Sequence, residues 1–218
     1  ESDFVISNVH IHATYHQLLP KLNIPRQLRR EERSSSAFIF YLGINRRYSN
    51  LGLHNIFFSE NYQQEFKSIR QGQLYKDPTV YVNITSKVES GDAPKEGENW
   101  FVMINTPYDQ GQDWSDKASE IRQNTFTKLS RILNREIEKD IVLERHWTPK
   151  EIEEDTSSVG GALYGSASND LMSAFNRHPN FHPKIKNLYF CGGSVHPGGG
   201  IPLCLLSAKI TAHEMNQS

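Results

Sequence analysis

Residues 187–202 read NLYFCGGSVHPGGGIP, and this stretch decides the fold. Its apolar run at 188–191 is short and continuous, which is typical of a buried strand. Five glycines then fall within the nine residues 192–200, and a largely apolar stretch begins at Ile201. We therefore predict a buried strand, a glycine-rich loop and a helix in direct succession.

The glycine-rich loop and the helix start after it predict a site for an anionic or electron-rich ligand. The first turn of a helix offers unpaired N–H groups and the positive end of the helix dipole. Glycines let the backbone approach a ligand closely, so such a loop binds phosphate or stabilises negative charge on a reduced flavin ring. The alternative is a tight turn that needs glycine for its geometry alone, and five glycines with two X-Pro steps make it less favoured.

Upstream of this stretch, short strands alternate with a few helices. We predict strands at 4–7 (buried), 37–42, 54–58, 79–87, 100–105 and 141–143. A helix is predicted where Tyr62, Phe66 and Ile69 form one buried stripe at helical spacing. A long amphipathic helix is predicted at 116–135. The sequence Thr148-Pro149-Lys150-Glu151 predicts the start of another helix with a capping box.

Bulk composition excludes several classes of function. The 218 residues carry a formal net charge of −1, without the basic surplus typical of nucleic-acid binding. The sequence has no run of about 18 apolar residues that could span a membrane. Its two cysteines lie in apolar runs, which fits a reducing compartment. His10-x-His12 is a weak metal pair without further ligands at metal spacing, so we expect no metal site.

The longer stretch NLYFCGGSVHPGGGIPLCLLSAKI, residues 187–210, closely resembles the C-terminal flavin motif of the bacterial phytoene desaturase-type family. In that family a strand leads into a loop with His-Pro-Gly and then into a helix with Ser-Ala-Lys. Asp3–Asn8 resembles a further strand of the family, and Ser36–Gly43 with His54–Phe58 resembles its substrate-domain hairpin. The chain is thus similar over most of its length to the C-terminal portion of an FAD-dependent carotenoid desaturase.

Three segments resemble one branch of this family, the hydroxycarotenoid 3,4-desaturases. They are Gly160–Gly165, Phe175–Pro179 and Ser194–Gly200. In the last of them, phytoene desaturases more often have Gly-Thr-His-Pro-Gly-Ala-Gly. Phytoene desaturases, diapophytoene desaturases and the related terminal-methyl oxygenases stay open as alternatives.

The resemblance implies an α+β or α/β chain that forms the C-terminal part of a flavin amine oxidase-like fold. Residues 1–20 and 184–218 would return to a Rossmann-type FAD-binding domain, the second as its C-terminal strand, loop and helix. Residues 21–183 would form a mixed-sheet substrate-binding domain that includes a loop approaching the flavin.

The implied activity is the FAD-dependent desaturation of a linear or monocyclic carotenoid in carotenoid biosynthesis. Hydride leaves one carbon of a C–C single bond for flavin N5, and a proton leaves the neighbouring carbon. Because the substrate dissolves in membranes, the enzyme is expected in the cytoplasm, lying peripherally on the cytoplasmic membrane. The alternatives are a related carotenoid isomerase, saturase or oxygenase, and an isoprenoid-binding domain without redox activity.

By the same resemblance, eight residues are expected to contact the flavin. They are Gly192, Gly193, Ser194, His196, Gly200, Ile201, Pro202 and Asn8. His196 could position the flavin or substrate, or it could fix the loop by hydrogen bonds. Asn8 could instead cap the next helix, and Arg177 is expected at the surface or as a loop clamp. The catalytic base stays unknown. The acidic side chains considered for it are Asp109, Asp113 and Glu144.

Two features point beyond the chain itself. It lacks the Gly-x-Gly-x-x-Gly turn, and the acidic residue about 20 positions later, that hold a dinucleotide. It also lacks an initial methionine, so we expect a longer polypeptide whose N-terminal Rossmann segment completes the FAD site, and an inactive fragment without it. A basic cluster at Arg26, Arg29, Arg30 and Arg33 could lie on an anionic membrane surface or form a solvated helix face.

Overall fold

The chain forms a five-stranded antiparallel sheet, several helices and a pair of parallel strands. The structure, a computed structural model, describes residues 2–167 and 177–217. The strands are β1 Val5–Ser7, β2 Ser36–Ile44, β3 His54–Phe57, β4 Val80–Asn83, β5 Glu98–Thr106, β6 Ile141–Trp147 and β7 Leu188–Phe190. The helices are α1 Ile11–Ala13 (continued by a π-helical turn, Thr14–Leu18), α2 Arg26–Arg30, α3 Tyr62–Arg70, α4 Trp114–Leu133, α5 Pro149–Thr156 and α6 Ile201–Asn216. The predicted mixed α and β class is confirmed.

Residues 36–151 form one compact unit around the antiparallel sheet, whose strand order is β3-β4-β5-β2-β6. Strands β2 and β5 pair along all nine residues of each. Helix α4 covers one face of this sheet, where the rings of Phe40 and Phe126 lie 5.0 Å apart and Leu129 is fully buried. This face holds the larger apolar core.

Polar caps set both ends of α4 and the start of α5. Helix α4 lies within two residues of the predicted 116–135 at both ends. The Asp113 carboxylate accepts two N–H groups of its first turn at 3.0 and 3.3 Å, and Asn134 ends it in a left-handed conformation. The predicted capping box of α5 is confirmed. The Thr148 N–H donates to the Glu151 carboxylate at 2.8 Å, and the Glu151 N–H donates to the Thr148 hydroxyl at 3.2 Å.

The buried face of α3 differs from the prediction. Ile69 is buried, but Tyr62 is exposed and Phe66 is only partly covered. A carboxylate takes the central place instead, because Glu65 is fully buried. Its two oxygens accept the N–H and the hydroxyl of Thr79 at 2.8 and 2.7 Å. A pattern of apolar residues cannot reveal a buried acidic side chain that finds such partners.

The second face of the antiparallel sheet carries a row of aromatic side chains. The Phe101 ring on β5 lies 5.6 Å from that of Tyr41 on β2 and 6.3 Å from that of Tyr81 on β4. The Trp147 ring on β6 lies 6.5 Å from Tyr41. Ile56 on β3 and Tyr41 are exposed, and the remaining members are partly exposed. We call these five residues the aromatic sheet face.

The second compact unit comprises residues 1–35 and 152–218. Its strands β1 and β7 pair in parallel. Strand β7 is buried, but the prediction of a buried strand at 4–7 is wrong for most of β1, since Val5 and Ile6 are half exposed and only Ser7 is buried. The reason is that β1 has one strand partner among the described residues, whereas parallel strands are ordinarily covered on both faces. The core beside these strands contains Ile11, Tyr15, Leu28, Leu188, Phe190 and Val195.

The boundaries of the two units lie at 35/36 and 151/152, whereas the sequence-based boundaries are 20/21 and 183/184. The difference arises because residues 21–35 pack with the parallel strands. Leu28 joins their core, and the Ser34 N–H donates to the Gly165 carbonyl at 2.9 Å. The assignment of the units to flavin and substrate binding stays a prediction.

Helix α6 exposes its apolar residues and buries polar ones. Ile201 is 79% exposed and Leu205 68%, while Ser207 and Thr211 are buried. The Thr211 hydroxyl donates to the Phe190 carbonyl at 2.8 Å, which attaches the helix to β7. Across the part of the chain that the structure describes, no helix has both the length and the apolar content to cross a membrane.

Candidate functional site

The strand, loop and helix predicted at 188–215 are present as β7, a loop over 191–200 and α6. Gly200 stands at the start of α6 with φ 97°, a conformation that favours glycine. A side chain added at Gly200 would meet no atom within 4 Å, and among the described residues no side chain caps the helix. The first turn is therefore open to a ligand that accepts hydrogen bonds.

Arg177 holds this loop against the preceding segment. Its guanidinium is buried and donates through Nη1 to the carbonyl oxygens of Tyr164 and Gly193, both at 3.1 Å. Its Nη2 donates to the Ser166 carbonyl at 2.9 Å. Burial lowers the pKa of Arg177, and the charge of Glu31 opposes that effect. Of the two predicted places for Arg177, the structure favours the loop clamp.

Asn180 is a second organiser of the loop, and the sequence analysis did not single it out. Its buried side-chain amide donates to the carbonyls of Phe190 and His196 at 3.2 and 3.0 Å. The same amide donates to the Ser207 hydroxyl at 2.9 Å. Asn180 thus joins β7, the loop and α6. The only signal in the sequence is an asparagine next to Pro179, which spacing alone cannot distinguish from a turn residue.

The predicted flavin contacts separate into two groups. Gly192 lies beside the end of β1, where the carbonyl oxygen of Asn8 is 3.7 Å from the place of an added Cβ. Asn8 is exposed there and does not cap the next helix, since His10 occupies the capping position of α1. Gly200, Ile201 and Pro202 are exposed at the helix start. All of these residues are at least partly accessible to a ligand.

The remaining predicted contacts lie within the loop itself. The Ser194 hydroxyl is buried and accepts the Ile11 N–H at 2.9 Å. The Gly193 carbonyl accepts from Arg177. His196 borders a cavity of about 230 Å³ with Ile210 and Glu214, near the far end of α6. His196 thus lines this cavity together with residues from the C-terminal half of α6.

The three acidic side chains considered as bases have structural partners in the unit of residues 36–151. Asp109 accepts the Trp114 indole N–H at 2.8 Å, and Asp113 caps α4. Glu144 accepts from the Arg122 guanidinium at 2.7 Å. Within the described residues, no group of three or more His, Cys, Asp or Glu side chains could hold a metal ion.

Comparison with known proteins connects this loop to a family. The chain is 55% identical over 213 residues to a 1-hydroxycarotenoid 3,4-desaturase from Flavobacterium sp. (strain P99-3), which covers 97% of the chain. It is 35% identical over 226 residues to a 4,4'-diaponeurosporene oxygenase from Staphylococcus aureus (strain MSSA476), which covers 99% of the chain. The chain matches the C-terminal part of a carotenoid desaturase-type oxidoreductase.

This match confirms the resemblance on which the sequence analysis rested. The identity is higher to the 3,4-desaturase than to the oxygenase, in agreement with the branch that residues 160–165 and 194–200 indicated. The remaining segment of that argument, residues 175–179, includes Phe175 and Asn176, which lie outside the described residues. The chain spans 44% of the length of each of these two relatives.

A solved structure supports the fold alone. The chain resembles an oxidoreductase from Methanosarcina mazei with a TM-score of 0.57 at 13% identity, over 98% of this chain and 43% of that one. No protein-family profile matches the chain.

Proposed function

We propose that the protein is an FAD-dependent desaturase of carotenoids that converts a C–C single bond into a double bond. The observation that carries this proposal is the loop between β7 and α6, which leaves the start of α6 without a side-chain cap. The carotenoid-specific names of two relatives supply the substrate class. When bound, the flavin would supply the oxidised ring that accepts hydride from the substrate.

The residues of the loop fit a flavin in shape and charge. Gly192 and Gly200 leave the backbone uncovered, and Asn8, Ile201 and Pro202 are exposed. The positive end of α6 favours negative charge that develops on a reduced flavin. The buried Arg177 guanidinium adds a second positive charge next to Gly193 and Gly198. The other predicted contacts would support flavin binding by maintaining the conformation of the loop. They are Gly193, Ser194 and His196.

We place the carotenoid on the aromatic sheet face. A polyene is long, flat and apolar, so it needs an extended apolar surface rather than a compact polar cleft. Tyr41, Tyr81, Phe101 and Trp147 offer such a surface with ring separations of 5.6 to 6.5 Å. The opposite face of the sheet cannot serve, because α4 covers it.

The natural protein is proposed to include an N-terminal Rossmann segment that completes the FAD site. The exposed apolar residues of α6 and β1 support this, since Ile201, Leu205, Val5 and Ile6 lack cover within the described residues. The two curated relatives are also more than twice as long as their matched part. The 218-residue chain alone would hold FAD weakly and would not turn over substrate.

A peripheral place on the cytoplasmic membrane follows from the proposed substrate. The basic segment offers partial support, because Arg26 and Arg29 are exposed. Arg33 faces inward and bonds His12 at 2.9 Å, so it does not belong to a surface patch. The structure leaves the side chain of Arg30 undescribed. Fewer than the four arginines of this segment would therefore contact the membrane.

A related oxygenase, isomerase or saturase is the second candidate, favoured by the 35% identity to the diaponeurosporene oxygenase. A net desaturase reduces its bound flavin when substrate is added without oxygen, whereas an isomerase returns the flavin to its oxidised state. An isoprenoid-binding domain would hold no flavin at all. These outcomes separate the desaturase from an isomerase and from an isoprenoid-binding domain.

The test compares the 218-residue chain with a version extended to its natural start. Absorbance spectra are recorded with and without added FAD, and hydroxycarotenoid is then added to the extended protein without oxygen. Flavin bands in the extended protein alone, followed by bleaching and a red-shifted carotenoid, are the expected result. Flavin bands in neither protein would contradict the proposal.

A further inference from the structure

His10 carries a buried hydrogen-bonding atom that has no partner in the described part of the chain. It stands at the capping position of α1, and its Nδ1 accepts the His12 N–H at 3.4 Å. Its other ring nitrogen, Nε2, is buried and makes no hydrogen bond there. A buried polar atom without a partner is uncommon in native proteins and calls for an explanation.

The protonation of the ring defines what this atom can do. Burial, together with the charges of His12 and Arg33, lowers the pKa of His10 to about 4, so the ring is neutral near pH 7. A neutral imidazole that accepts at Nδ1 carries its proton on Nε2. His10 therefore presents a buried N–H donor.

The donor lies next to the glycine loop. A Cβ added at Gly165 would be 3.6 Å from His10 Nε2 and 3.3 Å from Ser194 Cα. The following residue, Ile11, donates its N–H to Ser194. Gly165 therefore lies between the His10 ring and Ser194 of the loop, and the Ile11 N–H attaches the adjoining backbone to the same serine.

A metal ion explains the donor poorly. The rings of His10 and His12 lie 5.8 Å apart, and the described residues contain no third ligand that would complete a site. His12 is in addition bonded to Arg33 through Nε2 at 2.9 Å. The charge of Arg33 is already paired with Glu31 at 3.8 Å, so an N–H on Nε2 suits an acceptor oxygen of a ligand rather than a metal.

We propose that the Nε2–H group of His10 donates a hydrogen bond to an oxygen atom of the bound flavin cofactor. This rests on the proposed function and assigns a positioning role to a residue outside the glycine motif. In the ligand-free protein the buried N–H group would make no hydrogen bond, which is unfavourable. The bound cofactor would supply the missing acceptor.

Two substitutions test the functions of the two ring nitrogen atoms separately. In His10→Gln, the side-chain amide nitrogen reaches the place of Nε2, so the donor is kept. In His10→Asn, the side-chain oxygen replaces the acceptor Nδ1, and no donor reaches the place of Nε2. His16→Ala is the matched control, because His16 is exposed six residues later in the same segment.

The experiment uses the protein extended to its natural start, and the probe is FAD, titrated by its fluorescence. We expect His10→Asn to weaken FAD binding by about three- to tenfold, the effect of one hydrogen bond. His10→Gln and His16→Ala should bind FAD as the unsubstituted protein does. The ligand-free His10→Asn protein should unfold at a temperature no lower than that of His10→Gln, since the donor bonds nothing there.

The outcomes distinguish this inference from the proposed function. If the unsubstituted extended protein binds no FAD, the proposed function fails and the inference fails with it. If it binds FAD and His10→Asn binds equally well, only the role of His10 is overturned. Failure of His10→Asn to fold, beside a folded His10→Gln, would show that the ring is a structural partner and would also overturn it.

Discussion

The guanidinium of Arg177 donates to the carbonyl oxygen of Gly193 at 3.1 Å and so joins the glycine loop to the segment before it. The same group bonds the carbonyls of Tyr164 and Ser166. A buried charge that makes three such bonds fixes the backbone of the loop, since each carbonyl would otherwise lie partly buried without a donor. The site therefore depends on a side chain that need not touch a ligand.

Replacement of Arg177 should destabilise the protein. We expect Arg177→Met to lower the free energy of unfolding by about 3 kcal/mol, because an apolar chain of similar length leaves the three carbonyls without their donor. Urea unfolding followed by circular dichroism measures the change. Arg131→Met is the control, since its ion pair with Glu60 lies at the surface and should contribute close to nothing. Equal effects of the two substitutions would contradict the clamp.

Gly198 is expected to tolerate no side chain. Its φ of 138° is unfavourable for other residues, and an added Cβ would lie 3.0 Å from the Arg177 Nε. Gly198→Ala should therefore cost about 1–3 kcal/mol of unfolding free energy. Gly52→Ala serves as the control, because a Cβ there meets nothing within 4 Å. A neutral Gly198→Ala would mean that the loop conformation described here is not required.

The sequence predicted the elements around the site better than the contacts between them. The apolar run and glycines of 187–202 are local signals, so β7, the loop and α6 followed directly from them. The bonds of Arg177 and Asn180 join residues 10 to 27 positions apart in sequence. No periodicity encodes such bonds. The burial of Glu65 was not predicted for the same reason, since its partner Thr79 lies outside α3.

The aromatic sheet face should contribute to substrate binding. We expect Tyr81→Ser in the extended protein to raise the KM for the carotenoid about tenfold, because a ring is lost from the surface on which the polyene would lie. FAD binding should not change. Phe58→Ser is the control, as Phe58 is also exposed but packs against Tyr62, outside the aromatic sheet face. If both substitutions act alike, this face does not bind the substrate.

Protonation of Asp140 should lower the free energy of unfolding at acid pH. The Arg135 guanidinium bonds it at 2.5 and 2.7 Å, the Tyr48 hydroxyl donates at 2.7 Å, and these contacts lower the pKa of Asp140 from 3.8 to about 2. Because the pKa is lower in the folded state, the stabilisation is full above pH 4 and is lost as the pH falls towards 2. Urea unfolding between pH 5 and pH 2 should show a smaller loss for Asp140→Asn than for the unsubstituted chain. Glu120→Gln, at an exposed position on α4, should leave the pH dependence unchanged.

Leu205 tests whether a further segment covers α6. Its side chain is 68% exposed, so Leu205→Gln should change the unfolding free energy of the 218-residue chain by no more than about 0.5 kcal/mol. In the protein extended to its natural start, the same substitution should cost about 2 kcal/mol, because a leucine covered by the proposed Rossmann segment loses its apolar contacts. Lys209→Gln, also exposed on α6, controls for a change of polarity at the helix surface.

The comparison is informative because both proteins carry the same change. A leucine that stays exposed in the extended protein would give two equally small effects, and the apolar surface of α6 would then need another explanation. A large effect in the extended protein alone would show that α6 is an internal helix of a larger domain. Its inverted pattern, with Ser207 and Thr211 buried and Leu205 exposed, would then reflect two packing partners, β7 on the polar side and the N-terminal segment on the apolar side.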